Sequence, residues 1–232
     1  MKAILTSILG GSCYDNGKRV PGPIISGNGL LTKVQSFWPK DARVVIISAD
    51  PTDYDRNDLI LYCFTEALPM SGLTVSSITI VDNRNEAVPE ADVYILTGGH
   101  VPTQNAFFQR IGLREKLQDK DILLLAWSAG SMNCAEDVYA GPEWEGEAID
   151  PNYQRWLKGL GITKTNIFPH FDALRDEMLD GMRLIEDITF EDSMGHEFLA
   201  LNNGSYIVVE DGKEEIYGDA YSIKDGKISK VN

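Results

Sequence analysis

Ile122-Leu-Leu-Leu-Ala-Trp-Ser128-Ala-Gly130-Ser-Met-Asn-Cys-Ala-Glu136 runs from an unbroken apolar segment straight into a serine, places a glycine two residues later and continues in a helical pattern. An apolar run this short and this continuous predicts a strand buried on both faces. Such a strand belongs to a parallel sheet with helices above and below it. The abrupt change from strand to helix at Ser128 also predicts a sharp turn at one end of that sheet.

The same pattern repeats upstream. Residues 3–8, 43–48, 74–81 and 93–97 are short runs rich in β-branched residues that read as further strands. Between them, residues 30–38, 58–70 and 103–117 carry helical spacing, as in Leu59, Cys63 and Ala67 or Phe107 and Ile111. Strands alternating with helices predict an α/β fold: a doubly wound, mostly parallel sheet with helices on both faces.

Past Ser128 the organisation changes. Residues 141–161 set Trp144, Tyr153 and Trp156 among acids and glycines, and read as a long ordered excursion beside the end of the sheet. Residues 172–190 place Leu174, Met178, Met182 and Ile185 on one helical face, which predicts a helix. After Phe198, short strands are punctuated by Asn203-Gly204, Asp211-Gly212 and Asp225-Gly226, pairs suited to turns with positive φ. They predict C-terminal antiparallel hairpins. With no repeat, linker or low-complexity tract, residues 1–232 read as a single domain.

Composition narrows the function. The 232 residues are 43% hydrophobic and 24% charged, a globular balance that excludes disordered and fibrous classes. The formal net charge of −14, with no Lys/Arg cluster, argues against partners that carry phosphate backbones and against anionic membranes. Three cysteines, Cys13, Cys63 and Cys134, have no metal-binding or disulfide spacing and point to a reducing compartment. The apolar start is broken by Thr6-Ser7 and Gly10-Gly11, too early for a signal peptide, and Gly10 argues against a lipoprotein site at Cys13. No run is long enough to span a membrane. The expectation is a cytoplasmic protein.

The residues that could carry chemistry are few. The strand–Ser128–helix turn has the form of a nucleophile elbow, in which small neighbours allow the hydroxyl to stand above the sheet. Ala126 replaces the first glycine of the usual G-x-S-x-G pattern. The competing reading is that Ser128 only caps the following helix. Upstream, Thr97-Gly98-Gly99-His100 ends a strand in bare backbone, so the Gly99 N–H together with that of Ala129 could receive an oxyanion. A plain tight turn would use the same glycines. A serine nucleophile needs a base, and only His100, His170 and His196 exist. His196 lies in a polar stretch and reads as a solvated surface residue, whereas Pro169-His170-Phe171 follows a short apolar run where a loop would sit over a sheet.

Trp127-Ser128-Ala129-Gly130, Ile95-Leu96-Thr97-Gly98-Gly99 and Pro169-His170-Phe171 together resemble the aspartyl dipeptidase (peptidase E) family, whose relatives include the cyanophycinases. The resemblance covers nearly the whole chain in element order. It implies a fold related to class I glutamine amidotransferases, with Ser128 as nucleophile and His170 as its base. It also implies a cofactor-free, metal-free serine peptidase that removes an N-terminal Asp from dipeptides. Two positions depart from the family pattern. Where the family carries an acid, Leu201-Asn202-Asn203-Gly204 offers Asn203, which could orient the imidazole but not stabilise its charge; Asp172 is a nearby substitute, and a tight hairpin would also want Asn-Gly. Where the family continues with glycine and asparagine, this chain has His100, a residue that could meet substrate. Arg175 could hold a substrate carboxylate or be a surface cation among acids.

The expectation is therefore a Ser-His hydrolase of short peptides working through an acyl-enzyme. Two alternatives stand beside it: a non-catalytic binding or regulatory descendant that has lost the acid, and a cyanophycinase-like isopeptide hydrolase. Neither the oligomeric state nor the preferred side chain is legible.

Overall fold

The computed structural model describes residues 1–231. Its strands in chain order are β1 (Lys2–Thr6), β2 (Gly10–Asp15), β3 (Lys18–Ile24), β4 (Ala42–Ile47), β5 (Val75–Val81), β6 (Val93–Leu96), β7 (Leu123–Trp127), β8 (Asp137–Tyr139) and β9 (Trp156–Lys158). They continue with β10 (Asn166–Phe168), β11 (Met178–Leu179), β12 (Met182–Arg183), β13 (Glu197–Leu201), β14 (Tyr206–Glu210), β15 (Lys213–Tyr217), β16 (Ala220–Lys224) and β17 (Lys227–Lys230). The helices are α1 (Leu30–Phe37), α2 (Tyr54–Met70), α3 (Val101–Arg110), α4 (Leu113–Leu117), α5 (Ala129–Met132), α6 (Phe171–Leu174) and α7 (Phe190–Asp192).

The main sheet runs β15-β14-β1-β7-β6-β4-β5. Its five strands β1, β7, β6, β4 and β5 are mutually parallel, and β14 and β15 extend it in antiparallel fashion. Alternation along each strand divides the core. Leu124 and Ala126 pack beneath Phe107 and Phe108 of α3 and Leu113 and Leu117 of α4. Leu123 and Leu125 face the opposite way, toward Leu30 and Val34 of α1 and Ile60 and Phe64 of α2. Both faces are thus covered, and this is the mixed α/β fold that the continuous apolar strands required.

A second sheet, β10-β13-β16-β17, stands beside the first. Phe168, Phe198, Ala200 and Ile223 form its core with Tyr139, Phe171 and Ile185. The C-terminal hairpins β14–β15 and β16–β17 turn at Asp211-Gly212 and Asp225-Gly226, where all four residues have positive φ. Asn203-Gly204 is different. It links β13 of the second sheet to β14 of the first, so the chain crosses between sheets there instead of closing a hairpin.

Two helix expectations are corrected. The pattern over 103–117 is two helices, because Gly112 adopts φ +60 and breaks the first. The pattern over 172–190 is not a continuous helix. Only α6 forms, and the chain then makes the β11–β12 hairpin and a π-helical turn, Leu184–Thr189. Asp180 and Gly181, both with positive φ, turn that hairpin. Its apolar residues at helical spacing serve a strand pair and a cavity wall instead. The β2–β3 ribbon, turning at Asn16-Gly17, was not expected from the pattern. Among the described residues no helix is long and apolar enough to cross a membrane.

Candidate active site

The parallel strands end together. Thr6 of β1 stands beside Trp127 of β7, and Ala126 beside Leu96 of β6, so Ser7, Ser128 and Thr97 leave the sheet at one carboxyl edge. In open α/β sheets this edge is where ligands bind. Ser128 has φ 53 and ψ −124, a backbone conformation costly for any residue with a side chain. Its N–H donates to the Thr6 carbonyl at 3.0 Å, which anchors the turn to the neighbouring strand. Although Ser128 stands at the start of α5, its side chain makes no capping hydrogen bond. The capping alternative therefore does not account for the residue.

Glycines make the turn possible. A Cβ on Gly130 would lie 2.6 Å from the Leu96 carbonyl oxygen, so α5 can approach β6 only without one. A Cβ on Gly98 would fall 2.9 Å from the Ser128 Cβ and 2.7 Å from the Trp127 indole nitrogen. Gly98 and Ser128 thus face each other across a gap that no side chain could enter. Gly99 follows at the same strand end, and Ala129 begins α5, where its N–H has no acceptor within the helix.

His170 arrives from the second sheet. β10 and β13 pair in parallel, with Phe168 opposite Ala200, and each chain continues two or three residues beyond. That register brings His170 beside Asn203. The His170 Nδ1 lies 2.7 Å from the Asn203 carbonyl oxygen Oδ1. His170 itself adopts φ 58, and its N–H donates to the Ser7 hydroxyl at 3.2 Å. The same hydroxyl donates to the Leu201 carbonyl at 3.0 Å, so Ser7 links the edge of the main sheet to both strands that carry the imidazole and the amide. Asp172 does not reach the ring in any hydrogen bond. Its carboxylate instead accepts the Asn203 backbone N–H at 2.9 Å.

Ser128 and His170 line one cavity of about 430 Å³. Its walls include Tyr139, Phe168, Leu174, Met178, Leu179 and Leu184, and its carboxylates are Glu143 and Glu177. Surrounding protein, with the neighbouring Glu147 charge, raises the Glu143 pKa to about 7, while an N–H from Val101 opposes the shift. Glu143 remains open to the cavity solvent, and no Lys or Arg pairs with it among the described residues.

Two expected residues lie elsewhere. His100 is not on the cavity wall. Its ring stacks on Trp144 at 3.7 Å between centroids, and its nitrogens meet Thr103 Oγ1 at 2.8 Å and Glu147 Oε1 at 2.9 Å. It thereby pins the excursion 141–161, which reaches the cavity through Gly141, Pro142 and Glu143 and not through its tryptophans. Arg175 is exposed, and its nearest acid, Asp176, is 3.9 Å away. His196 is exposed and stacks on Trp156. The sequence reading missed Glu143, Glu177, Ser7 and Arg56, whose guanidinium donates to the Gly98 carbonyl at 2.9 Å. None of these carries a motif of its own; each is placed by chain segments far away in sequence.

A model described as Peptidase family S51 matches residues 36–217 of the chain. A 1.5 Å crystal structure of a Listeria monocytogenes EGD-e protein, provisionally described as peptidase E, superposes with a TM-score of 0.60 at 12% identity, covering 93% of this chain and 96% of that one. At that identity the likeness concerns the fold. No curated protein matches the chain.

Proposed function

The chain belongs to peptidase family S51, and on that premise we propose that it is a serine-type hydrolase of short peptides, with Ser128 as nucleophile and His170 as general base. The observation that carries this reading is the cavity shared by a strained, uncapped Ser128 and a His170 whose Nδ1 faces a carbonyl oxygen. With Asn203 Oδ1 accepting at Nδ1, the proton sits on Nδ1 and Nε2 is free to act as base.

Ser128 Oγ attacks the peptide carbonyl and gives its proton to His170 Nε2. The Gly99 and Ala129 N–H groups receive the oxyanion. As the C–N bond breaks, the imidazolium returns that proton to the leaving amine. Water, deprotonated by the same nitrogen, then releases the acid from the serine ester. Asn203 fixes the ring but supplies no negative charge to the imidazolium, so turnover is slower than with a carboxylate there. The reaction uses these side chains, the two backbone N–H groups and water.

The test is hydrolysis of a dipeptide panel, with Asp, Glu, Asn and neutral first residues, by the wild type and Ser128→Ala in parallel. Cleavage that disappears in a folded Ser128→Ala supports the assignment; cleavage that persists removes it. A second reading, a binding protein descended from peptidases, is favoured by one feature, the amide of Asn203 where the family resemblance puts an acid. Stoichiometric labelling of Ser128 by a fluorophosphonate would exclude it. Substrate length separates dipeptide hydrolysis from cleavage of a polymer's isopeptide bonds.

A further inference from the structure

We propose that the cavity beside Ser128 takes a bulky uncharged side chain on the acyl-donating residue, with that residue's free ammonium at Glu143, and discriminates against the acidic first residue that the family resemblance implied. This inference rests on the Ser128–His170 reading above.

The ionisable groups on the cavity wall, besides His170, are Tyr139, Glu143 and Glu177. Among the described residues no Lys or Arg lines it. The cations around it are engaged elsewhere: Arg155 lies 3.6 Å from Asp192, the acid that accepts from the Tyr139 hydroxyl, Arg183 is held bidentately by Asp187, Arg56 donates to the Gly98 carbonyl, and Arg175 lies exposed beside Asp176. His100 is closed off by Glu147, Thr103 and Trp144. A substrate carboxylate entering this space would lose water and meet two carboxylates with no counter-ion, an arrangement that desolvation and like charge both oppose.

The shape and chemistry of the wall favour the opposite kind of group. Phe168, Leu174, Met178, Leu179 and Leu184 converge on the space, and Met178 is 57% exposed, with its thioether side chain free to move. Apolar surface lost from water on both sides stabilises a leucine- or methionine-like side chain there. Glu143 is the polar group that would fix orientation. Its backbone N–H is held by Glu147 Oε2 at 2.8 Å, and its own carboxyl takes only a long 3.4 Å contact from the Val101 N–H. Among the described residues no other hydrogen bond reaches that carboxyl, which lines the cavity, so acceptor capacity remains for an ammonium with its three donors. One acid that orients, set in an apolar wall, is the usual build of a small-molecule site.

The experiment compares leucyl, methionyl, lysyl and aspartyl p-nitroanilides on the full chain and on Glu143→Gln, with fluorophosphonate labelling of Ser128 in each. The expected wild-type result is a kcat/KM for the leucyl or methionyl compound at least about tenfold above the aspartyl one, which corresponds to about 1.4 kcal/mol. Glu143→Gln, which can still accept from Val101, should raise KM for the leucyl compound by about fivefold to tenfold and narrow the gap to the aspartyl compound. An aspartyl rate equal to or above the leucyl rate overturns the proposal, as does a lysyl rate above both. An unchanged leucyl-to-aspartyl ratio in Glu143→Gln overturns the role of Glu143. If no compound is cleaved while Ser128 is labelled, the side-chain proposal falls and the nucleophile assignment stands. If Ser128 is neither labelled nor active, the underlying reading falls with it.

Discussion

His170 Nδ1 and Asn203 Oδ1 are 2.7 Å apart although they follow different strands, β10 and β13, and the pair is open to solvent. A hydrogen bond in that setting is worth about 1 kcal/mol, enough to bias the tautomer but not to hold an imidazolium as a carboxylate would. Asn203→Asp should therefore raise kcat by roughly tenfold or more, and Asn203→Ala should lower it by about tenfold. Steady-state rates on a cleaved peptide check both. An Asn203→Asp variant slower than the wild type would show that the amide does not act through the ring.

Ser128 pays for its position in backbone strain. Glycine accepts φ 53, ψ −124 without a Cβ penalty, so Ser128→Gly should gain about 1 kcal/mol of stability after the larger unfolded-state entropy of glycine is subtracted. Urea unfolding measures it, and fluorophosphonate labelling should vanish in the same variant. A loss of stability would mean that the hydroxyl contributes structurally after all.

Gly130 and Gly27 should behave differently when replaced by alanine. At Gly130 the added Cβ meets backbone 2.6 Å away and α5 must shift from β6, a cost of about 2 kcal/mol. At Gly27 nothing lies within 4 Å and φ is not positive, so the change should stay within about 0.5 kcal/mol. Thermal unfolding of the two variants decides it.

His100 gives the fold a pH dependence of definite sign. Burial holds its pKa below the usual 6.5, although the neighbouring Glu147 pulls it upward. The folded protein then binds fewer protons at this ring than the unfolded chain does. The stability contributed by neutral His100 is complete above the unfolded pKa and is lost as pH falls through the folded one. Replacing His100 by Gln should flatten the decline in Tm between about pH 7 and pH 5. Identical pH profiles would show that the ring is hydrated in the native state.

The elbow at Ser128 was legible because its determinants are local. A strand buried on both faces, a serine and a glycine two residues later lie within one short segment, and the backbone turn follows from them. The alternation that assigns Leu124 to one face and Leu125 to the other is equally local, and with it the α/β layering. Where local signals competed, the reading failed: helical spacing over 172–190 concealed the Asp180-Gly181 turn, which the Gly146 and Ala148 N–H groups hold by donating to the Asp180 carboxylate.

The meeting of His170 with Asn203, and of both with the edge that carries Ser128, has no local signature. Asn203-Gly204 reads as a hairpin turn from its residue types, yet it carries the chain from one sheet to the other. Which strands pair, and in which register, is settled by the burial of Phe168, Phe198 and Ala200 together with segments far along the chain. Periodicity reports which face of an element is buried, but not what buries it. The sequence by itself therefore determined the elements, the layers and the turn at Ser128. Tertiary structure decided that Asn203, which the resemblance offered beside Asp172, is the residue facing the imidazole, that His100 serves the fold and that two carboxyl groups line the cavity.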